Sequence, residues 1–308
     1  MLALTYPWII IVCFCAAIIL ALKKHFWIAG GLVVVGFLLN WLSECFAFSL
    51  LSSNEMCGNR TVRVMAWNID GSEYDSLKVV KITDVIHKYK PDVIFLSEDF
   101  DKTGACLDSL LTKNYPYSSN MVCSGHQFYS NYMLDSIRVV DVEGYDNPLR
   151  IHVSMMVKGH IIDIYGCHLA SNNYSASHVD FHLDQVNDYQ DAKQYLKNIR
   201  DASRLRELEA QAIIKDMTDR ATIIMGDFND VSGSPALRGF KAAGFQDAWW
   251  KGGLGYGATI HYPLPYRIDH IMYNDRLRLK SIKKIDAKGL SDHDALVAEF
   301  YFQRKSLT

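Results

Sequence analysis

The sequence predicts an α/β protein, a sheet-rich sandwich of strands and helices carried behind a transmembrane helical hairpin. Three observations lead there. No charged side chain occurs from Met1 to Leu22 or from Phe26 to Ser43. From Thr61 onward, short β-branched runs alternate with stretches of helical periodicity. Those runs include a hairpin as well as strand–helix units, a mixture that a purely parallel doubly wound sheet does not contain.

Twenty-two uncharged residues at 1.5 Å each reach about 33 Å, enough for a hydrocarbon core of roughly 30 Å. A second apolar stretch runs from Phe26 through Leu51, interrupted only by Glu44 near its end. A cleaved signal peptide would begin with a basic region and end in small residues, and this terminus has neither. The basic Lys23-Lys24 pair in the connecting loop places that loop in the cytoplasm by the positive-inside rule, although Arg60 and Arg63 reduce the asymmetry. The amino terminus and everything after Leu51 then lie on the other side, in a bacterium the periplasm. The expected division is two spans over 1–51, a linker over 52–60 and a catalytic domain over 61–308.

In the soluble part, Thr61–Asn68 alternates as a strand. Ile82, Val85, Ile86 and Tyr89 then form one apolar helix face, which Pro91 ends. Asp92–Ser97 reads as a buried strand. Ile151–Val157 and Ile161–His168, joined through Lys158-Gly159-His160, read as an antiparallel hairpin. The segment 177–217 has helical composition, and Ala221–Met225 is a strand running into Gly226. The final strands are expected at Tyr266–Tyr273, Leu277–Ile285 and Ala295–Phe302.

Of 308 residues, 49% are hydrophobic and 21% charged, which excludes a disordered chain. The net charge of -2 excludes a strongly basic nucleic-acid coat. Cys57, Cys106, Cys123 and Cys167 fall in the soluble part; Cys106 with Cys123 closes the shortest loop, and unpaired thiols are the equal alternative. No spacing suggests structural zinc.

The chemistry lies at the ends of the apolar runs. The strands end in Trp67-Asn68-Ile69-Asp70-Gly71, Leu96-Ser97-Glu98-Asp99, Gly166-Cys167-His168-Leu169 and Gly226-Asp227-Phe228-Asn229-Asp230. Near the carboxyl end come Arg267-Ile268-Asp269-His270 and Ser291-Asp292-His293-Asp294. Carboxylates, amides and imidazoles thus stand where strands leave the core. Any one of these segments alone could be a simple turn.

Together and in this order they resemble the endonuclease/exonuclease/phosphatase superfamily, over about Val62 to Phe300. The resemblance implies a four-layer sandwich of two mainly antiparallel sheets flanked by helices, with the site at one end of the sheets. It implies an oxygen-liganded hard cation, Mg²⁺ or Mn²⁺, to offset phosphoryl charge. By the same resemblance Asn68, Asp70, Glu98 and Asp292 are the metal set, and Asn68, His168, Asn229 and His293 hold the phosphate. His168, Asp227, Asn229, Asp269 and His293 form the catalytic set, Asp269 orienting His293. Either Asp227 or His293 activates water. Ser130-Asn131 stands where the family often has a Ser-Arg pair, and without the Arg it receives no role. His178 and His182, amid Asp180, Asp184, Asp188 and Asp191, read as a solvated acidic face rather than a metal pair.

These motifs indicate a reaction and not a substrate. Without the first 51 residues, which hold Lys23, Lys24 and Glu44, there remain 30 basic and 33 acidic groups. A net -3 disfavours a nuclease, which tracks phosphates with Lys and Arg. The expectation is a monomeric, membrane-anchored phosphoesterase acting on a phosphodiester or phosphomonoester: a lipid head group, an inositol phosphate or a nucleic acid. An extracytoplasmic nuclease is the near alternative, and an inactive binding domain the distant one. Trp249-Trp250, Tyr256, Tyr262 and Tyr266 form either a membrane-facing rim or ordinary packing.

Overall fold

A computed structural model describes residues 2–49, 60–71, 75–119, 125–143, 145, 150–172, 189–261 and 264–303. Two helices open the chain, α1 (Leu2–Leu22) and α2 (Phe26–Ser43). Mean hydropathies of 2.4 and 1.8 make both long and apolar enough to cross a membrane. They pack on each other, the Phe14 ring meeting Phe37 edge-on at 5.3 Å. Most of their outward side chains, among them Val12, Leu22, Trp27 and Leu38, are exposed.

The next elements are β1 (Ala47–Phe48), β2 (Thr61–Asn68), α3 (Ser76–Tyr89), β3 (Val93–Asp99), α4 (Asp101–Leu111), β4 (Tyr117–Ser118), β5 (Gly125–Ser130) and β6 (Leu134–Val139). The chain continues through β7 (Arg150–Val157), β8 (His160–His168), α5 (Tyr189–Asp216), β9 (Ala221–Asp227), α6 (Pro235–Ala242) and β10 (Gln246–Asp247). It closes with α7 (Ala248–Gly252), β11 (Leu254–Gly255), β12 (Asp269–Tyr273), β13 (Leu277–Ile285) and β14 (Ala295–Phe302).

Two six-stranded sheets result, ordered β13-β14-β2-β3-β5-β4 and β10-β12-β9-β8-β7-β6. Each holds a single parallel pair, β2 with β3 and β8 with β9, the remaining pairs being antiparallel. The period of two along a strand sorts the side chains into layers. Val64 and Ala66 face the second sheet, with Phe95 and Phe128, against Val153, Ile164, Ile223 and Met225. Met65 and Trp67 point the other way, under Val79, Ile82 and Ile86 of α3 and Leu107 of α4. On the far side α5 and α6 cover Tyr165, Cys167 and Ile224 with Ile213, Leu237 and Phe240. The four layers and the mainly antiparallel sheets match the expectation.

Lys158 and Gly159, at φ 50 and 85, make the two-residue turn of the β7–β8 hairpin. The last sheet strand before β13 begins at Asp269 rather than Tyr266, which only bridges to Ile260. In the 177–217 segment α5 begins at Tyr189, and His178 and His182 lie outside the described residues, as does Tyr262. Trp249 is buried in the core between the sheets, so packing rather than a rim explains it. Cys106 is a free thiol, against its pairing with Cys123, which lies outside the described residues.

The helical pair is joined through a buried charge cluster to the end of the sandwich that carries Asp269. Arg267, Asp247 and His270 are each at most 1% exposed. Arg267 donates to Asp247 Oδ2 at 2.7 Å, to Ser232 Oγ and to the backbone oxygen of Glu44 at 3.4 Å. His270 Nδ1 lies 2.9 Å from the same Asp247 oxygen, while Oδ1 accepts from Trp249 N and Trp250 N. Burial alone would raise the Asp247 carboxyl, but Arg267 and His270 overcome it and hold it well below the usual carboxylate range. A depressed value contributes stability above the unfolded pKa of about 4, and that contribution is lost as pH falls. Asp247→Asn should therefore cost about 3–5 kcal/mol at pH 7, because it strands a buried guanidinium. In denaturant unfolding of the detergent-solubilised protein, its gap from the parent should shrink as pH falls below about 4.

Candidate active site

Register alone assembles half of the site. Asp227, the last residue of β9, stands opposite His168 on β8 and opposite Asp269 on β12. Gly226 precedes it at φ 135, where an added Cβ would lie 2.1 Å from the Cys167 carbonyl oxygen. The other sheet supplies Asn68 from the end of β2 and Glu98 from β3. A register shift between Ser97 and Asp99 leaves Glu98 at φ 58, so a bulge turns its side chain out of the ladder. Asp70 at φ 44 and Asn229 at φ 49 also adopt the left-handed conformation, which non-glycine residues hold at a cost and which gathers at functional sites.

Asn68 joins the two sheets. Its Nδ2 donates to Glu98 Oε1 at 2.9 Å and to Asp227 Oδ2 at 3.2 Å, while Oδ1 accepts from Asp70 N at 3.1 Å. His168 Nε2 lies 3.7 Å from Glu98 Oε1 and 3.6 Å from Asp227 Oδ2. His293 comes from the loop before β14; its Nδ1 lies 2.8 Å from Asp269 Oδ2 and its Nε2 3.8 Å from Asp227 Oδ2. Ser291 pins that loop, donating to Asn68 O at 2.7 Å and accepting from His293 N at 3.0 Å. Trp67 Nε1 donates to His293 O at 2.9 Å. Thr259 Oγ1 accepts from Asp269 N at 3.1 Å, and Asn229 places its Nδ2 on Leu169 O at 2.9 Å while its N donates to Asp227 Oδ1.

The electrostatics are those of excess negative charge. Among the described residues Glu98, Asp227 and Asp269 form ion pairs only with His168 and His293, and with no Lys or Arg. Burial would lower the His293 pKa, but Asp269 and Asp227 outweigh it and push it up to about 10. Burial raises the Asp269 carboxyl, and the neighbouring Asp227 charge adds to that.

Asn68, Glu98, His168, Asp227, Asn229, Asp269 and His293 are therefore brought together at one end of the two sheets. Two residues stand apart. Asp70 is half-exposed beside Lys78, whose Nζ is 4.0 Å from its carboxylate, and Asp292 is exposed, with Oδ1 3.4 Å from Ser291 Oγ. Among the described residues, the group of three acidic and imidazole side chains whose atoms all lie within 4.8 Å of one another is Asp227, Asp269 and His293. That trio is built around the Asp269–His293 hydrogen bond, whereas Glu98 is bonded to the neutral amide of Asn68.

His126 is the residue that sequence reasoning missed. Buried on β5 opposite Ser97, it holds Nε2 3.0 Å from His168 Nδ1 and stacks on Phe95. Its strand carries no polar cluster, and only the β3–β5 pairing brings it to the site.

The profile of the Endonuclease/Exonuclease/phosphatase family matches residues 65–293. The chain belongs to this family. The chain is 33% identical over 87 residues to a 5'-tyrosyl-DNA phosphodiesterase of Caenorhabditis elegans, a match covering 28% of this chain and 23% of that protein. The matched stretch thus spans about a quarter of that relative's length. Among solved structures, truncated TDP2 of C. elegans superposes with a TM-score of 0.56 at 18% identity, over 78% of this chain and 98% of that one. The endonuclease/exonuclease/phosphatase of Beutenbergia cavernae gives 0.58 at 16% identity, over 81% and 73%. The Neisseria 3' phosphatase NExo, bound to product DNA hairpin, gives 0.57 at 13%, over 79% and 100%. These likenesses show the fold.

Ser291→Ala removes the bond from the His293 loop to Asn68 of β2 and the one Ser291 accepts from His293 N, and leaves the Trp67–His293 bond in place. It should lower stability by about 1–2 kcal/mol in denaturant unfolding, the scale of two modest hydrogen bonds.

Proposed function

We propose that this chain is a membrane-anchored phosphoesterase that depends on a divalent cation, Mg²⁺ or Mn²⁺, and hydrolyses a phosphodiester or phosphomonoester. One observation carries the reading: at one end of the sandwich three carboxylates meet with two imidazoles and, among the described residues, pair with no Lys or Arg. The residues fit a hard cation, because the oxygens offered are carboxylate oxygens and because the charge excess calls for one. Glu98 is the principal ligand. Its side chain is 28% exposed and its only ion-pair partner among the described residues is His168. Asn68 stands beside it, and Asp70 and Asp292 are the further carboxylates assigned to the metal. The Asp227–Asp269–His293 trio suits catalysis better, since a cation there would break the 2.8 Å Asp269–His293 bond.

When bound, the cation offsets charge on the phosphoryl oxygens and the leaving oxygen. His168, held by His126, and Asn229 grip the phosphate. Asp269 fixes the His293 ring so that Nε2 faces Asp227. The proton of the attacking water passes to the Asp227–His293 pair, whose facing atoms are 3.8 Å apart.

The two apolar helices form the anchor. Lys23 and Lys24 face the cytoplasm, so the catalytic domain stands on the outer side of a cytoplasmic membrane. A nucleic-acid-linked phosphodiester is the second reading. Its support is the 33% identity to a tyrosyl-DNA phosphodiesterase; the acidic balance of the soluble part weighs against it.

The purified full-length protein, offered plasmid DNA, RNA, phospholipids, sphingomyelin and inositol phosphates, should turn over at least one class with Mg²⁺ or Mn²⁺ and none with chelator. Glu98→Ala should abolish that turnover; activity unaffected by the substitution would contradict the reading. Asp227→Asn and His293→Asn should each lower kcat by roughly 10²–10⁴-fold. The double variant should be about as slow as either alone, as expected of groups acting as one unit. Mass spectrometry of the membrane-extracted protein should find residues 1–51 retained. A mature chain lacking them would refute the anchor.

A further inference from the structure

We infer that the substrate is a membrane lipid phosphoester, one of whose acyl chains is held by an apolar cavity in the helical pair. This rests on the phosphoesterase reading and narrows it to one substrate class. The cavity, about 200 Å³, lies between α1, α2 and β1 and is lined chiefly by Ile10, Ile11, Phe14, Phe37, Phe46 and Phe48. Asn40 is its one polar side chain with a donor and an acceptor, and both are already used. Nδ2 donates to Phe46 O at 2.9 Å, and Oδ1 accepts from Phe46 N at 2.7 Å. Such a wall offers hydrocarbon contact and no partner for a polar ligand.

Position selects the occupant. Phe37 lies six residues before Ser43 at the end of α2, about 9 Å down the helix. The cavity thus sits within helices whose outer faces are apolar and exposed, where the surrounding solvent is acyl chain. At its mouth the β1–β11 ladder sets Phe48 opposite Leu254, both largely exposed. An apolar tip at this boundary enters the edge of a bilayer.

The same end of the hairpin is fastened to the catalytic end of the sandwich. Glu44 pairs with Lys241 of α6 at 2.6 Å, and Trp8 Nε1 donates to Tyr266 OH at 3.3 Å. Tyr266 bridges to Ile260, and Ile260 bridges in turn to His293. Each antiparallel step spans about 5 Å between Cα atoms, so two steps separate the Trp8 contact strand from the catalytic imidazole. Ile10 lies two residues, about 3 Å along α1, from Trp8, so a lipid whose chain fills the cavity presents its phosphate at that end. Hydrolysis then joins water's oxygen to phosphorus as one ester P–O bond breaks, and the leaving oxygen departs as an alcohol carrying a proton.

The test uses full-length protein in nanodiscs with Mg²⁺ or Mn²⁺. Its probes are phosphatidylglycerol carrying a diazirine on one chain, the water-soluble bis(p-nitrophenyl) phosphate, and a tyrosyl-DNA oligonucleotide. Expected is turnover of the long-chain lipid at a kcat/KM at least tenfold above both soluble esters. Photolabelling should fall within residues 10–15 and 37–48. Ile11→Trp, which narrows the cavity from its exposed side, should cut that labelling and raise KM for the lipid severalfold. Val34→Trp, outside the cavity, should change neither. Hydrolysis of the soluble diester without the lipid, preference for the oligonucleotide, or labelling spread evenly over the helices overturns the lipid assignment and leaves the phosphoesterase reading standing. Turnover of no ester overturns both.

Discussion

Three buried or half-buried carboxylates, drawn from both sheets, are held against each other at a single end of the sandwich, and the local structure answers to that crowding. With acidic oxygens of Asp227 and Asp269 within 4.8 Å, repulsion between the two charges at an effective dielectric near 20 is at least about 3.5 kcal/mol. Folding offsets it with hydrogen bonds given to the charged oxygens: Asn68 to Glu98 and Asp227, the Asn229 amide to Asp227, and His293 to Asp269. Of these donors only His293, its pKa pushed up to about 10, carries a positive charge, one against three carboxylates. A cation is what such an arrangement lacks, and a phosphoryl group is what a cation there would draw in.

The crowding also explains where backbone strain is placed. Asp70, Glu98 and Asn229 occupy the left-handed region beside the site, each at a cost the surrounding core must bear. The core is suited to bear it, since the strands that end in these residues are almost wholly buried on both faces. A second charge cluster sets Asp247 against Arg267 and His270, and it fixes the approach to Asp269 only two residues along the chain from Arg267. One cluster is neutralised and structural, while the other is left anionic and open to ligand. The backbone of Glu44 touches the neutralised one, so the apolar helices are seated on the catalytic end itself.

Much of this was legible in the sequence because the site lies at strand ends, where an apolar run stops and a polar signature begins. Asn68, Glu98, His168, Asp227, Asn229, Asp269 and His293 could all be picked out that way. The bulge at Glu98 could not, as it depends on how β3 pairs with β5. For the same reason His126 was invisible: its position at the site comes from a register with Ser97, across a stretch whose polarity shows no cluster. Asn68 was expected as a ligand beside the cation, yet its amide is turned between two carboxylates, a role set by the approach of one sheet to the other. The short elements β10, α7 and β11 escaped because two-residue strands carry no period. They are held by the Asp247 cap and by pairing with distant segments.

The most direct measurement of the anionic centre is calorimetric titration of the full-length protein with Mn²⁺ in detergent at two pH values. One tight site per chain is expected, with affinity rising with pH as protons leave the carboxylates, and with loss of that site in Glu98→Gln while circular dichroism shows the fold intact. Absence of binding in the parent protein, or binding unchanged by Glu98→Gln, would contradict a cation-binding centre.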